Sequence, residues 1–545
     1  MANIRTLLIM PHFWDPICVP LGISALKAYG DRAGHAVHLF DFNTVRDVFA
    51  AQRAYFEEGK RQFPYWKKWG IERNGTQMLA YHQMVYLHAR TRTNYRELVA
   101  EVLNVNQRPL GEFLDDLDAS RFDAIFSRLY TRVGAIFEKV LAETKPEVVG
   151  CTLLNSTVPG TLFLLKRVKE LLPGARTVVG GPGPMMGISS NENEVRAFFD
   201  RHDFLDYYVV GEGEKSFVQI LDNPDLPRGV INPDKGLAIV EIKRNAQKID
   251  DLPLPDYGTL NVAKYLQLSI ASSRGCPFEC SFCSETVYWK GFRAIDRSLI
   301  FGQLDALGTR YNRTSFFLCD SLANQVIGSL TAEIAASGKP YKIDCYLRAD
   351  RICTDESRTK EWRAGGLFRA RLGMESASQR ILDAMVKKTN PENMAKSLHA
   401  LASQGIMTTT LWIAGYPGET EQEFDSTLAF IRENRRNIFQ ADIQIFQYHP
   451  EGLAHSDTIA AQNDWGYRYS TDLNEVFALK PSQVGSNITE AERYDRLERF
   501  VDEMSRLQIP NPYGVFEWVA AENRWKALAH ESGWDPRRSM MSLNA

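Results

Sequence analysis

The amino-acid sequence predicts an α/β fold made of two parallel sheets in series, followed by a mainly helical C-terminal region. Short apolar stretches alternate with amphipathic, helix-like stretches over residues 1–225 and again over 266–455. This alternation is typical of parallel strands joined by crossover helices. Residues 226–265 are rich in Pro, Gly and Asp, which indicates a linker. We therefore expect two α/β domains, with residues 456–545 as the helical region.

In the first domain, the predicted strand, helix and strand are "IRTLLIM", "LGISALKAYGDRAGH" and "AVHLFDF". The same rhythm resumes with "EVVGCTLL", "VPGTLFLLKRVKELLPG", "ARTVVGGPG" and "FLDYYVVGEGEKSFVQIL". Residues 44–140 between these two parts have helical periodicity and few turn residues, which indicates a helical insertion. We expect the insertion to bury most of its aromatic side chains as core, with a cover over a ligand as the alternative. These aromatics include Tyr55, Phe63, Tyr65, Trp66, Trp69, Tyr81 and Tyr86.

The second domain has six predicted strands, each followed by a helical stretch. The strands are "QLSIASSRG", "TSFFLCD", "YKIDCYL", "ARLGMES", "MTTTLWIAG" and "ADIQIFQYH". Six strand–helix units in succession predict a partial (β/α)6 barrel. The carboxyl ends of barrel strands are where active sites form, so polar residues at those ends are candidate site residues.

The composition excludes several classes of partner. The chain has 545 residues, of which 44% are hydrophobic and 24% charged, and its net charge is −3. Acidic and basic residues are interspersed, so charge gives no argument for nucleic acid or an anionic membrane as partner. No stretch approaches the roughly 18 uninterrupted apolar residues of a membrane span. Five of the eight cysteines are scattered, which does not resemble a disulfide framework and favours the cytoplasm.

The other three cysteines, Cys276, Cys280 and Cys283, lie together in "SSRGCPFECSFCSE" directly after the first barrel strand. A structural zinc site needs four protein ligands and usually a second Cys/His pair downstream. A disulfide would leave one cysteine over. Three thiolates on one loop suit a [4Fe–4S] cluster with one iron left open. We favour the cluster, and a zinc site in a non-catalytic binding protein stays open as the alternative.

C-x3-C-x2-C with an aromatic residue before the last cysteine, on this loop of a partial barrel, resembles the radical S-adenosylmethionine (SAM) superfamily. The resemblance implies that the open iron chelates SAM and that reductive cleavage of SAM yields a 5′-deoxyadenosyl radical. It also implies that Phe282 contacts the adenine of SAM and that Asp320 holds the amino group. Further SAM contacts are expected at later strand ends. They are Arg348, Glu375, Ser376 and Ile413, the last in "LWIAGYPGET". Lys387 and Lys388 are expected to be solvated surface charges.

Glycines at the strand ends of the first domain resemble the Rossmann-like cobalamin-binding domain that precedes many radical SAM barrels. Close approach of backbone to a large flat ligand needs positions without side chains. The residues that the resemblance assigns to cobalamin are Pro20, Leu21, Thr152, Asn155, Ser156, Gly180, Gly181, Gly211, Glu212 and Gly213. One departure weakens the assignment. The D-x-H-x-x-G motif, which supplies a histidine to cobalt in other cobalamin modules, is absent, and a purely structural domain is the alternative.

The combined resemblance implies a cobalamin-dependent radical SAM enzyme that methylates an unactivated carbon of a biosynthetic small molecule or peptide. Oxidative cyclisation or rearrangement is the alternative reaction. The cofactors implied are the [4Fe–4S] cluster, SAM and cobalamin, and the partners implied are the substrate and a flavodoxin- or ferredoxin-type electron donor. Tyr448 and His449, at the end of the last barrel strand, are candidate catalytic residues that touch substrate or relay a proton.

Overall fold

The computed structural model confirms the α/β class, with two six-stranded parallel sheets. We describe residues 3–14, 17–63, 72–105, 115–181, 192–231, 249–283, 285–289, 291–446, 465–467, 470–477, 483–485, 488–511, 523 and 525. None of the helices among these residues combines the length and apolar character needed to cross a bilayer.

The first sheet has the strand order β2-β1-β3-β4-β5-β6, and every neighbouring pair is parallel. Its strands are β1 (Arg5–Met10), β2 (Ala36–Asp41), β3 (Val148–Thr152), β4 (Arg176–Gly180), β5 (Tyr207–Val209) and β6 (Gly229–Ile231). The last of these lies in the segment that the sequence indicated as a linker. The order reverses between β1 and β3, and in open α/β sheets a crevice for ligands forms outside the carboxyl ends at such a switch point.

Four helices pack around this sheet, and four further helices form an insertion between β2 and β3. The helices around the sheet are α1 (Leu21–Arg32), α6 (Val158–Leu171), α7 (Glu192–Arg201) and α8 (Glu214–Asp222). The insertion comprises α2 (Arg46–Gln62), α3 (Glu72–Ala89), α4 (Tyr95–Val105) and α5 (Ala119–Thr144). Tyr55, Phe63, Tyr81 and Tyr86 are buried in the core that the insertion shares with the sheet, so these aromatics are core residues. Tyr65, Trp66 and Trp69 lie outside the described residues.

The second sheet has the order β14-β13-β12-β11-β10-β7, also parallel throughout. Its strands are β7 (Leu268–Ile270), β10 (Ser315–Leu318), β11 (Lys342–Leu347), β12 (Leu367–Glu375), β13 (Met407–Ala414) and β14 (Gln440–Ile445). The helices between them are α10 (Arg297–Tyr311), α11 (Ile327–Ser337), α12 (Glu356–Ala364), α13 (Gln379–Ala384), α14 (Pro391–Ser403) and α15 (Glu421–Glu433). These helices cover the outer face with one continuous apolar core.

Short elements surround the cysteine loop and the C-terminal end. The loop lies between β8 (Ser273–Arg274) and α9 (Glu285–Trp289), and β9 (Arg293–Ala294) pairs with β8. The described C-terminal elements are β15 (Trp465–Tyr467), α16 (Thr471–Phe477), β16 (Gln483–Gly485) and α17 (Glu490–Arg506). Helix α17 packs against the second sheet through Tyr494, Leu497 and Phe500. The domain boundaries expected from the sequence stay predictions.

Candidate functional site

The three clustered cysteines lie on one loop at the carboxyl edge of the second sheet. The loop starts at Gly275, whose φ is +80° and where a Cβ atom would collide with the carbonyl oxygen of Gly291. Cys280 is buried and Cys276 and Cys283 are half-buried. Burial raises the pKa of Cys276, and raises that of Cys283 to about 11. These thiols therefore carry their protons until a metal displaces them.

The donor set fits an iron–sulfur cluster. Each of the outer thiols is close enough to Cys280 for the neighbouring thiolate charge to raise its pKa. No three His, Cys, Asp or Glu side chains in the described ranges already have the arrangement of metal ligands, so the three sulfurs would have to converge on the metal. All eight cysteines are free thiols. Soft thiolate ligands select iron–sulfur clusters, copper(I) or zinc.

Arg348 supplies a buried positive charge next to this loop. Its Nη1 lies 3.9 Å from Sγ of Cys280, and its guanidinium carbon lies 4.0 Å from the ring centroid of Phe278. Nε and Nη2 are buried and have no hydrogen-bond partner among the described residues. A buried donor without a partner costs free energy, so these two nitrogens point to an acceptor that binds here. The structure thus places Arg348 beside Cys280, and its contact with SAM stays a prediction.

Phe282 and Ile413 are brought together although they are far apart in the sequence. Both pack on one small apolar cluster, in which the ring of Tyr416 contacts that of Phe446 with 5.1 Å between centroids. The hydroxyl groups of Ser281 and Tyr416 are hydrogen-bonded at 2.8 Å and tie the cysteine loop to this cluster. The arrangement provides an apolar surface beside the cysteines, as a flat aromatic ligand requires.

Lys387 is buried, whereas the sequence predicted a solvated surface charge at this position. Its Nζ donates to Oε1 of Glu375 at 2.7 Å, and the same Nζ lies 5.5 Å from the ring centroid of Phe282. The chain turns back after α13, which moves Lys387 from the helix surface to the carboxyl end of β12. Lys388 is exposed, as expected.

Asp320 and Ser376 are buried at the ends of β10 and β12, which flank β11 in the sheet. Asp320 accepts hydrogen bonds from the backbone N–H of Ser272 at 3.1 Å, from its hydroxyl at 2.7 Å, and from the hydroxyl of Ser273. Burial raises the pKa of the Asp320 carboxyl. Oγ of Ser376 accepts a hydrogen bond from the backbone N–H of Ser378 at 3.2 Å. Asp320 therefore joins the ends of β7 and β10 in this structure, and its contact with SAM stays a prediction.

A cavity of about 350 Å³ lies between the carboxyl edge of the first sheet and the second domain. The residues assigned to cobalamin that line it are Leu21, Thr152, Gly180, Gly181, Gly211, Glu212 and Gly213. Pro20, Asn155 and Ser156 are not among the lining residues, although Oγ of Ser156 is buried and has no hydrogen-bond partner within the described ranges. Ala271, Ser273 and Cys319 line the opposite side. The cavity therefore opens both to the glycine-rich edge and to the second sheet.

Glu212 and Glu214 bind arginines of the second domain. Glu214 pairs with Arg274, two residues before Cys276, and Glu212 pairs with Arg293 and, at 3.2 Å, with Arg274. Burial alone would raise the pKa of Glu212, but the two arginines outweigh it and lower the pKa. The sequence analysis missed Glu214, Arg274 and Arg293 because their partners lie about 60 to 80 residues away. Tyr448 and His449 lie outside the described residues.

Comparison with known proteins agrees with this geometry. Residues 270–431 match the family model of the Radical SAM superfamily. The anaerobic magnesium-protoporphyrin IX monomethyl ester cyclase of Rubrivivax gelatinosus is 25% identical over 311 residues, which cover 53% of this chain and 54% of the cyclase. The cobalamin-dependent radical SAM methyltransferase TokK of Streptomyces tokunonensis is 23% identical over 347 residues, which cover 58% of this chain and 49% of TokK. The match thus spans about half the length of these curated relatives.

The solved structure of the radical SAM methyltransferase TsrM from Kitasatospora setae, with cobalamin and a [4Fe–4S] cluster bound, resembles the whole fold. The TM-score is 0.61 at 12% identity, and the superposition covers 97% of this chain and 100% of TsrM. At this identity the likeness establishes a shared fold.

Proposed function

This chain is a radical SAM protein with the fold of a cobalamin-dependent methyltransferase, and we propose that it methylates an unactivated carbon of a biosynthetic small molecule or peptide. The observation that carries the proposal is the juxtaposition of the three-cysteine loop with the glycine-lined cavity between the two sheets. A [4Fe–4S] cluster, SAM and cobalamin would together supply a carbon radical on the substrate and the methyl group that it takes up.

The residues of the loop would hold the cluster and orient SAM. Cys276, Cys280 and Cys283 supply three thiolates, which leaves one iron open for SAM. The two unpartnered nitrogens of Arg348 would donate to the carboxylate of SAM, because a guanidinium binds that group with paired hydrogen bonds. Phe282 and Ile413 would flank the adenine from the apolar cluster that they share.

The first domain would hold the corrinoid at its glycine-rich edge. Gly180, Gly181, Gly211 and Gly213 line the cavity and leave these parts of its wall free of side chains, which allows a large flat ring to approach the backbone there. Glu212 is held by two arginines, so it would shape the cavity wall and not bind the ring directly. Exclusion of water by the facing second domain protects a reactive radical from side reactions.

Oxidative ring closure is a second candidate, since the magnesium-protoporphyrin ester cyclase is among the relatives of this chain. The two reactions differ in whether the methyl carbon of SAM is found in the product. Methylation transfers the methyl carbon to the product, whereas cyclisation leaves the product without it. In both cases an external flavodoxin- or ferredoxin-type protein would supply the electron.

The test is anaerobic reconstitution with iron, sulfide and hydroxocobalamin, followed by incubation with methyl-labelled SAM and candidate metabolites. The proposal expects about one corrinoid per chain and label in a product. A protein that cleaves SAM and converts a substrate without label transfer would favour the cyclase reaction. A protein that retains no corrinoid would contradict the methyltransferase.

A further inference from the structure

The inner face of the second sheet carries charged and aromatic side chains that are only partly buried. Arg371 on β12 lies beside Tyr346 on β11 in the strand register. Their sequence neighbours Cys345, Leu347 and Leu372 are buried in the core under the outer helices. Because side chains alternate between the faces of a sheet, Arg371 and Tyr346 project from the opposite, inner face.

Arg371 is held rigidly on that face. Its Nε and Nη2 donate to the two carboxylate oxygens of Asp344, each at 2.8 Å. Its guanidinium carbon lies 5.0 Å from the ring centroid of Phe317 and 5.8 Å from that of Tyr346. Burial alone would lower the pKa of Arg371, but the Asp344 carboxylate outweighs it and raises the pKa. The group is therefore a fixed cation.

Two donors on this face lack a protein acceptor in the part of the chain that the structure describes. Among the described residues, nothing accepts a hydrogen bond from Nη1 of Arg371 or from the hydroxyl of Tyr346. Burial raises the pKa of Tyr346, so its hydroxyl keeps the proton that it would donate. The Arg371 side chain retains 18% of its exposure, whereas that of Asp344 retains none. An ion pair that only stabilised the sheet would need neither a partly exposed arginine nor an unpartnered hydroxyl beside it.

We propose that Arg371 and Tyr346 anchor a carboxylate of the substrate inside the barrel. This inference rests on the proposed function, because it assigns a chemical class to the substrate of that site. A carboxylate accepts paired hydrogen bonds from a guanidinium edge and a further one from a hydroxyl. Phe317 flanks the anchor with apolar surface.

The position of the anchor also bounds the length of the substrate. Arg371 precedes Glu375, the last residue of β12, by four positions, which corresponds to about 13 Å along a strand. A substrate held by its carboxylate at Arg371 must therefore reach about 13 Å to present its reacting carbon at the carboxyl edge. The substrate is accordingly an extended or multi-ring acid.

The test measures binding and needs no knowledge of the natural substrate. Acetate, benzoate and indole-3-acetate, each beside its primary amide, are titrated calorimetrically into the anaerobic, reconstituted protein. The double variant Arg371→Gln, Asp344→Asn removes both charges and so leaves no buried charge unpaired. Tyr346→Phe removes a single hydroxyl, and Tyr341→Phe is the matched control because the Tyr341 hydroxyl bonds to Asp305 elsewhere.

We expect at least one acid to bind the unchanged protein about tenfold more tightly than its amide. The double variant should lose this preference, Tyr346→Phe should weaken binding of the acid about fivefold, and Tyr341→Phe should behave as the unchanged protein. The absence of any preference for acids, or its persistence in the double variant, would overturn the anchor. Reductive SAM cleavage, measured on the same preparations, separates the two proposals. Cleavage without acid preference contradicts only the anchor, and acid preference without cleavage contradicts only the proposed function.

Discussion

Nζ of Lys387 lies 2.7 Å from Oε1 of Glu375 at the carboxyl edge of the second sheet, and each side chain retains only 9% of its exposure. Glu375 has a φ of +64°, a left-handed conformation that is uncommon outside glycine. The buried lysine therefore neutralises a carboxylate that the strand presents in a strained conformation beside Phe282.

Lys387→Met should destabilise the protein because it leaves Glu375 buried without its partner. The free energy of unfolding in urea should fall by about 3 kcal/mol. Lys388→Met is the matched control, since Lys388 is exposed, and it should change stability by less than about 0.5 kcal/mol. Equal effects of the two variants would show that the Lys387 pair is not buried in solution.

Arg348→Met should weaken SAM binding while the cluster still assembles. Removal of the guanidinium takes away the unpartnered donors beside Cys280, so SAM should bind at least about tenfold less tightly. The measurement is a titration of SAM into the reduced cluster, followed by the change in its electron paramagnetic resonance spectrum. Arg351→Met, on an exposed residue nearby, should leave the titration unchanged. An unaltered titration in Arg348→Met would remove Arg348 from the SAM site.

Glu214→Gln should loosen the contact between the first sheet and the cysteine loop. The Glu214 side chain retains 8% of its exposure and that of Arg274 retains 14%, so loss of the charge leaves Arg274 poorly compensated. We expect the free energy of unfolding to fall by about 2 kcal/mol and corrinoid retention to fall with it. Glu279→Gln, on an exposed residue of the same loop, is the control. Full retention of the corrinoid in both variants would show that the Glu214–Arg274 ion pair is not needed to hold it.

Glu423 should make stability depend on pH in the acidic range. Hydrogen bonds from Arg380, and others from Thr420 and Ser378, lower the pKa of Glu423 from 4.5 to about 2. The carboxylate is thus favoured in the folded chain, and its stabilisation is present above pH 4.5 and lost as the pH falls towards 2. Glu423→Gln should flatten stability over this range and cost about 1 kcal/mol at pH 7, because it removes the carboxylate that Arg380 binds, whereas a glutamine at this position can keep the capping box of α15. Glu433 is exposed, so the control variant Glu433→Gln should leave the dependence of stability on pH unchanged. If stability falls as steeply with pH in Glu423→Gln as in the unchanged chain, Glu423 is not the group responsible.

The sequence predicted the elements whose signal is local. Each of the six strands predicted for the second domain overlaps a strand of the sheet, because apolar residues that pack under the outer helices recur along each strand. The cysteine spacing predicted the ligand loop, and the SAM contacts expected at Phe282 and Ile413 stay predictions, although both residues pack against one apolar cluster.

Contacts between segments that are distant in the sequence could not be predicted from local patterns. Glu212 lines the cavity, as a residue assigned to cobalamin should, and its carboxylate also binds Arg274 and Arg293. The local sequence predicts that Lys387 is exposed because it follows a helix. The path of the chain after Ala384 instead buries it. In both cases a charge finds its partner through tertiary packing, which no periodicity of one element reveals.

The most direct test of the central claim is reductive SAM cleavage by Cys280→Ala beside the unchanged protein, both reconstituted anaerobically. The matched control is Cys353→Ala, which removes a buried thiol outside the loop. The account predicts 5′-deoxyadenosine from the unchanged protein and from Cys353→Ala, and none above background from Cys280→Ala, with the circular dichroism of all three alike. Cleavage of SAM by Cys280→Ala at the unchanged rate would contradict the assignment of the cysteine loop.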